Sequence, residues 1–175
     1  GVVDAGSRGV WSLGEGDAGL VDVAETLSAT FYAAGPMSRH PQQNGSAFNL
    51  YWFSPPPFDA PAVGASIEAF YRFAAKFFDD EAGSYRVFIR RNPFRGNGGT
   101  ALRGSFMFGW GTGRPQTTDE LQGLLAHEIT HNWPRLDGAE HGETAWYSEG
   151  TAEYYSILLS RRAGAISDDE YLARI

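Results

Sequence analysis

The sequence predicts an α+β fold in which a mainly antiparallel sheet packs on helices. Two observations lead to this prediction. Strand-like runs and helical segments are interspersed up to residue 110, whereas three helical segments follow one another after it. The most regular of the early helical segments is amphipathic, so it is expected to bury one face against the sheet.

The first part of the chain carries two weak patterns and one clear strand. Apolar residues recur at helical spacing over 20–32 and predict a helix, although β-branched residues there leave a strand open. Residues 35–48 are rich in Gly, Pro, Gln, Asn and Ser and predict a surface loop, in which His40 is expected to be solvated. The aromatic run 49–53 predicts a short strand that ends before the three prolines 55–57.

The middle of the chain predicts one helix and two strands. Apolar and aromatic residues recur every three or four positions over 64–80, which is typical of an amphipathic helix. Residues 85–90 alternate as a strand does. The Asn97-Gly98-Gly99 segment predicts a turn, and a second strand is expected near 100–110.

The last part of the chain predicts three helices with recognisable ends. Thr117 and Glu120 form a capping-box pattern that opens a helix running to Trp133. A second helix is expected over 145–163, ended by Gly164. Ser167 and Glu170 give a second capping-box pattern, which opens the final helix.

Length, charge and composition exclude several classes of protein. The 175 residues fit one domain. With 21 acidic against 14 basic residues, the net charge of −7 argues against a nucleic-acid partner. No apolar run is long enough for a membrane span. The chain has no Cys, so any transition-metal site must use His, Asp and Glu. The absence of Cys is compatible with both a cytoplasmic and an exported location.

The two ends of the sequence suggest a piece of a longer chain. The sequence opens on Gly1 without a Met or a targeting segment, and it stops at Ile175 shortly after a helix begins. We therefore expect a single domain over 1–175 that is a fragment of a longer protein, with 1–32 as its least defined part.

One motif carries chemistry: His127-Glu128-Ile129-Thr130-His131, which reads H-E-x-x-H. Residues four apart in a helix lie on the same face, so His127 and His131 can direct two imidazole nitrogens at one ion. Glu128 lies beside that face and can hold a metal-bound water without binding the metal itself. The alternative is that the two histidines are a surface pair or satisfied core residues.

The following helix supplies the third candidate ligand. A zinc site with two His needs a further protein ligand, commonly a carboxylate, and Glu149 lies 18 positions after His131. Glu153, one turn further, either accepts a ring N–H from a ligand His or is a solvated helix residue. Tyr147, Tyr155 and His141 are candidate donors to an oxyanion, with packing or a surface position as the alternative for each.

These residues carry a family resemblance. The H-E-x-x-H helix followed by Trp146-Tyr147-Ser148-Glu149-Gly150 on the next helix resembles the gluzincin metallopeptidases, and the chain is most similar to the glycyl aminopeptidase family. The similarity continues through residues 162–172 and extends more loosely upstream to residue 33. It implies a thermolysin-like catalytic domain with one zinc ion on His127, His131 and Glu149, Glu128 as general base, and a peptide or protein substrate. Members of that family often carry a following PDZ domain, and a helical domain is the other candidate to follow this one.

One departure from the family pattern concerns the substrate. The family has a Glu in the Gly-Gly segment that is expected to hold the substrate's free α-amine, and here Ala101 stands at that position. An Ala cannot pair with an ammonium group, so an endopeptidase or another substrate preference becomes credible. Residues 103–108 are expected to bind an extended peptide by edge pairing. The alternative function is a non-catalytic peptide-binding or structural module that keeps the fold.

Overall fold

The computed structural model describes residues 7–16, 24–43, 45–81, 83–134 and 141–175. A three-stranded sheet contains β1 (Ser7–Trp11), β2 (Gly14–Glu15) and β3 (Tyr32–Pro36), in the order β2-β1-β3. A five-stranded sheet contains β4 (Ser38–His40), β5 (Phe48–Trp52), β6 (Tyr85–Arg95), β7 (Gly98–Leu102) and β8 (Ser105–Thr112), in the order β4-β5-β6-β8-β7. The helices are α1 (Ala24–Ser28), α2 (Ala60–Phe77), α3 (Thr118–Thr130), α4 (His141–Arg162) and α5 (Asp168–Arg174).

The α+β prediction is confirmed, and the sheet is mixed at its centre. Within the described residues four of the six strand pairings are antiparallel. The two parallel pairings join β6 to β5 and to β8, so β6 is the central strand. Helices cover one face of the five-stranded sheet, and the small sheet packs against part of the other face through Val10, Tyr51 and Phe88.

The segment after Gly98 forms a hairpin, so the prediction of one strand near 100–110 is wrong. The chain turns at Arg103 and Gly104, and Gly104 has the positive φ of 66° that such a turn requires. β8 lies between β6 and β7, so β7 is one edge strand of the sheet and β4 is the other. The expectation that residues 103–108 offer a free edge is therefore also wrong, because both edges of β8 are already paired.

Two of the predictions for the first part of the chain need correction. The helix expected over 20–32 is limited to α1 within the described residues, since Tyr32 already pairs with Trp11 in the small sheet; the 20–23 part of that prediction lies outside the described residues. The loop expected over 35–48 contains β4. His40 belongs to β4, its Nε2 lies 3.0 Å from Glu68 and its ring lies against the Gly64 backbone, so it is not a solvated loop residue.

The main core forms where α2 and α3 pack on the sheet and α4 packs on these two helices. α2 begins at Ala60, capped by the Asp59 side chain, which is four residues earlier than predicted. The fully buried side chains come from the sheet, α2, α3 and α4: Phe48, Leu50, Val87, Ile89, Phe106, Phe108, Ile67, Leu121, Leu125, Ile129 and Leu159. This core fixes α3 and α4 against the sheet, which is what positions the candidate site.

The predicted helix ends are largely confirmed. Both capping boxes form, at Thr117 with Glu120 and at Ser167 with Glu170. α3 ends at Thr130, three residues before the predicted end, and α4 begins at His141 instead of 145. α4 ends just before Gly164, whose φ of 74° is the left-handed conformation of a helix C-cap. Among the described helices, none is long and apolar enough to cross a membrane.

Candidate metal centre

α3 brings the two motif histidines to the edge of the core. Leu121, Leu125 and Ile129 on this helix are fully buried, which fixes the rotation of α3 about its axis. With that rotation fixed, the rings of His127 and His131 lie side by side, with centroids 4.9 Å apart. Both side chains are 20% exposed, so they are reachable from solvent but held by packing.

α4 brings Glu149 to the same point. Its Oε2 lies 3.2 Å from His127 Nε2 and 3.7 Å from His131 Nε2. One ligand atom from each of the three residues lies within 4.8 Å of the other two. The structure therefore brings together the three residues that sequence analysis selected as ligands.

Two further side chains of α4 contact the outer nitrogens of the histidines. The Glu153 Oε2 lies 2.9 Å from His127 Nδ1, and the Ser148 Oγ lies 3.3 Å from His131 Nδ1. A proton held on Nδ1 leaves the Nε2 lone pair free for a ligand bond. Glu153 is thus in contact with His127, as the first of its two alternatives requires, although its side chain is also 63% exposed. The sequence did not predict a role for Ser148, and the one feature that could have indicated it is its place directly before Glu149.

The chemistry of this donor set fits a divalent transition metal. Two imidazole nitrogens and one carboxylate oxygen converge without a thiolate, which is a set typical of metal sites that keep one position open. Glu149 is 58% exposed, so solvent reaches the carboxylate side of the cluster.

Glu128 follows His127 in α3 and is partly buried, as both histidines are. Burial raises the pKa of its carboxyl, the charge of His127 acts in the opposite direction, and the charge of Glu149 adds to the increase. Burial also raises the pKa of Tyr85, and the charge of Glu128 adds to that effect.

The two tyrosines among the candidate oxyanion donors have their described ring contacts away from the cluster. Tyr155 lies two residues beyond Glu153, about 200° around the helix, and its ring packs on Phe77 and Phe78. Tyr147 lies two residues before Glu149, an equal rotation away, and its ring meets Trp146. His141 is the first residue of α4, and its side chain lies outside the described part.

A groove runs beside the cluster between α3 and α4. It has a volume of about 540 Å³, and its walls include His127, Glu153, Leu124, Ile157 and Arg174. The groove gives open space next to the His127 side of the cluster.

The free edge strand β7 is the other notable surface. Ala101 is exposed and pairs with Phe106, whose ring is buried in the main core, so Ala101 lies on the helix-covered face of the sheet. Gly104, in the turn that ends β7, donates its N–H to the Asn132 side chain just after α3. The edge strand is thus tied to the end of the helix that carries the histidines.

Comparison with known proteins finds no family model and no curated protein that match. Among solved structures, the fold is similar to a chain described as an aminopeptidase N family protein from Idiomarina loihiensis, with a TM-score of 0.67 and 17% identity. The similarity covers 95% of this chain and 33% of the solved one, so this chain spans a third of that protein's length. The likeness shows that the two share a fold.

Proposed function

We propose that this chain carries the metal site of a zinc-dependent peptidase. The observation that supports this most directly is the convergence of His127, His131 and Glu149 within 4.8 Å, next to a half-buried Glu128. The likeness to a solved aminopeptidase N family protein supports the same reaction class. The resemblance to gluzincins in the motif residues adds the identity of the metal.

The residues divide the work as follows. His127, His131 and Glu149 hold the zinc ion, which when bound makes a water more acidic and polarises the scissile carbonyl. Glu153 and Ser148 keep the two imidazoles in the tautomer that offers Nε2. Glu128 accepts the proton of the attacking water and then delivers it to the leaving amine.

A raised pKa at Glu128 suits this exchange. A carboxylate whose conjugate acid is weaker than usual accepts a proton more readily, and it still releases that proton to an amine, which is far more basic. The burial that raises the pKa also keeps bulk water away from the proton.

The peptide substrate pairs with the free edge of β7. Main-chain N–H and C=O groups at an open sheet edge bind an extended peptide by adding it as a further strand. Ala101 offers no carboxylate to a substrate α-amine, so the site accepts N-blocked peptides as well as free ones.

Two substitutions test the proposal. Glu128→Gln should keep the bound zinc and lower peptide hydrolysis by at least about a hundredfold, because only the proton acceptor is lost. Glu149→Ala should release the metal, because one of three protein ligands is missing. The matched control is Asp169→Asn, which removes an exposed carboxylate from α5 and should change neither property.

Metal analysis and hydrolysis of one peptide with a free and a blocked N-terminus complete the test. Zinc at one equivalent with cleavage of both forms supports the proposal. Cleavage of the free form alone would contradict the proposed acceptance of blocked peptides. Full activity of Glu128→Gln would remove the general-base role. Absence of bound zinc would favour the alternative, a peptide-binding or structural module that keeps the fold, and bound zinc without turnover of either peptide would contradict the proposed hydrolysis by this chain.

A further inference from the structure

Positive charge is concentrated in one segment of this acidic chain. Residues 82–118 contain six of the 14 basic residues and none of the 21 acidic ones. This segment forms β6, β7 and β8, so the basic residues lie on or next to the three strands at the β7 end of the sheet. The rest of the chain is strongly acidic.

Four of the six arginines have no carboxylate partner within the described residues. Arg114 is paired with Glu120, and Arg86 donates to the Ser12 carbonyl. The other four make no ion pair with any described carboxylate and are exposed: Arg90, Arg91, Arg95 and Arg103. Their charge is available to an external group.

Arg90 reaches the edge strand on the face away from the helices. It pairs with Gly109 in β8, which in turn pairs with Gly98 in β7, so two glycines leave this row without side chains. The Arg90 Nε lies 3.1 Å from the Met107 sulfur, and Met107 pairs with Thr100. The guanidinium therefore lies across β8, one strand from the edge.

Arg91 extends over β8 on the opposite face of the sheet. It pairs with Trp110, and its guanidinium lies over the Trp110 ring at 5.8 Å. Trp110 packs against the main core, which places Arg91 on the helix-covered face. Each face of the sheet thus carries one guanidinium without a carboxylate partner over β8, the strand next to β7.

We propose that the peptide that pairs with β7 carries acidic side chains, recognised by Arg90 on one face and Arg91 on the other. This inference rests on the proposed function for the purpose of the peptide, but it concerns only binding at β7. An added strand lies about 5 Å beyond β7, and its successive side chains point to opposite faces. Two adjacent acidic residues therefore direct one carboxylate to each face of the sheet, and from there a long side chain reaches back over β7 toward the arginine on that face.

The arrangement also predicts discrimination. Each exposed pair contributes modestly and is weakened by salt. Together the two pairs should give a preference for an acidic peptide over its neutral amide analogue of about threefold to tenfold at low ionic strength. A peptide with lysines at the same positions should bind more weakly than the neutral one.

The test uses three blocked, fluorescein-labelled octapeptides that differ only in a central pair, Glu-Glu, Gln-Gln or Lys-Lys. Binding is measured by fluorescence anisotropy on the zinc-loaded full chain with Glu128→Gln, so that the probes stay uncut. The order Glu-Glu, Gln-Gln, Lys-Lys is expected, with the differences shrinking at 0.5 M salt. A short single-stranded oligonucleotide serves as the competing polyanion.

Arginine variants assign the effect to the two side chains. Arg90→Met with Arg91→Met keeps the aliphatic stems over Met107 and Trp110 and should reduce the acidic preference to less than twofold. The double Arg→Lys variant should restore most of it. Arg162→Met is the matched control, because Arg162 also lies over an aromatic ring, Phe77. It is 13 residues beyond Glu149 in α4, about 20 Å away along the helix.

The outcomes separate this inference from the proposed function. Equal binding of the Glu-Glu and Gln-Gln peptides would overturn the inference, even if wild-type protein cleaves both. A preference that survives in the double Met variant would overturn it too, as would tighter binding of the oligonucleotide than of the Glu-Glu peptide. An arginine-dependent preference in a chain that cleaves no peptide would support the inference and refute the peptidase.

Discussion

Adjacent glycines in β7 have opposite tolerance for a side chain, and this gives a sharp test of the edge strand. A Cβ on Gly99 would overlap the ring of Phe106, with Cε2 at 2.7 Å and the Met107 carbonyl oxygen at 3.0 Å. Phe106 is 1% exposed and packed in the main core, so its ring has no free space to move into. A Cβ on Gly98 would meet nothing within 4 Å.

The expected magnitudes follow from these contacts. Gly99→Ala should lower the free energy of unfolding by about 1–3 kcal/mol, the usual cost of forcing an extra group into a packed core. Gly98→Ala should be neutral or raise it by up to about 1 kcal/mol, because alanine reduces the freedom of the unfolded chain. Urea unfolding of the two variants beside the wild type measures both values.

A third substitution identifies the cause. Phe106→Leu removes the ring atoms that the new Cβ would meet, so Gly99→Ala should cost much less in that background than in the wild type. The double-mutant cycle should give a favourable coupling of at least about 1 kcal/mol. Equal stability of the Gly98 and Gly99 variants, or a coupling near zero, would show that β7 does not lie on Phe106 as described.

Two other predictions concern the candidate metal site and the charged contacts of Glu15. Glu153→Gln should weaken zinc binding about tenfold, measured by competition with a chelator. This is the low end of the effect of a carboxylate that orients a ligand His, because Glu153 is 63% exposed. Unchanged zinc affinity would show that Glu153 is a solvated helix residue. For Glu15, burial acts to raise the pKa, but the hydrogen bond from Tyr51 and the charges of Arg39 and Arg8 outweigh it and lower that pKa below 4.5. Its stabilising contribution is therefore complete above pH 4.5 and lost as the pH falls through the lowered pKa. Urea unfolding should show a gap between wild type and Glu15→Gln that is constant from pH 6 to 7 and narrows at pH 3.5, and a gap that stays constant at pH 3.5 would contradict it.

Local patterns predicted much of the helical half of the fold. The capping boxes at Thr117 and Ser167 and the helix end at Gly164 depend on contacts within a few residues, so the sequence around them suffices. The spacing of His127 and His131 likewise places both rings on one face of one helix, whatever the rest of the fold does. The need of a zinc site with two His for a further protein ligand led to the prediction of Glu149 on the next helix.

The strands were less predictable because their partners are distant in sequence. Whether residues 98–112 make one strand or a hairpin depends on a turn at Gly104, and which strand is the edge depends on β8 inserting beside β6. Strand pairing is set by contacts across the sheet that a local pattern does not contain. His40 is a similar case. The polar residues around it in the sequence predicted a solvated loop, but its ring packs on α2.

The sequence by itself determined which side chains could share one helix face, because helical geometry fixes that spacing. Only the tertiary structure decided how α4 meets α3, and with it that Glu149 faces the histidines while Tyr155 turns into the aromatic core. The same packing placed Ser148 and Glu153 on the outer nitrogens, and the strand order left β7 as an edge strand next to β8, over which the two arginines lie. The physical reason is that rotation about a helix axis and order within a sheet are set by the burial of residues far apart in the chain.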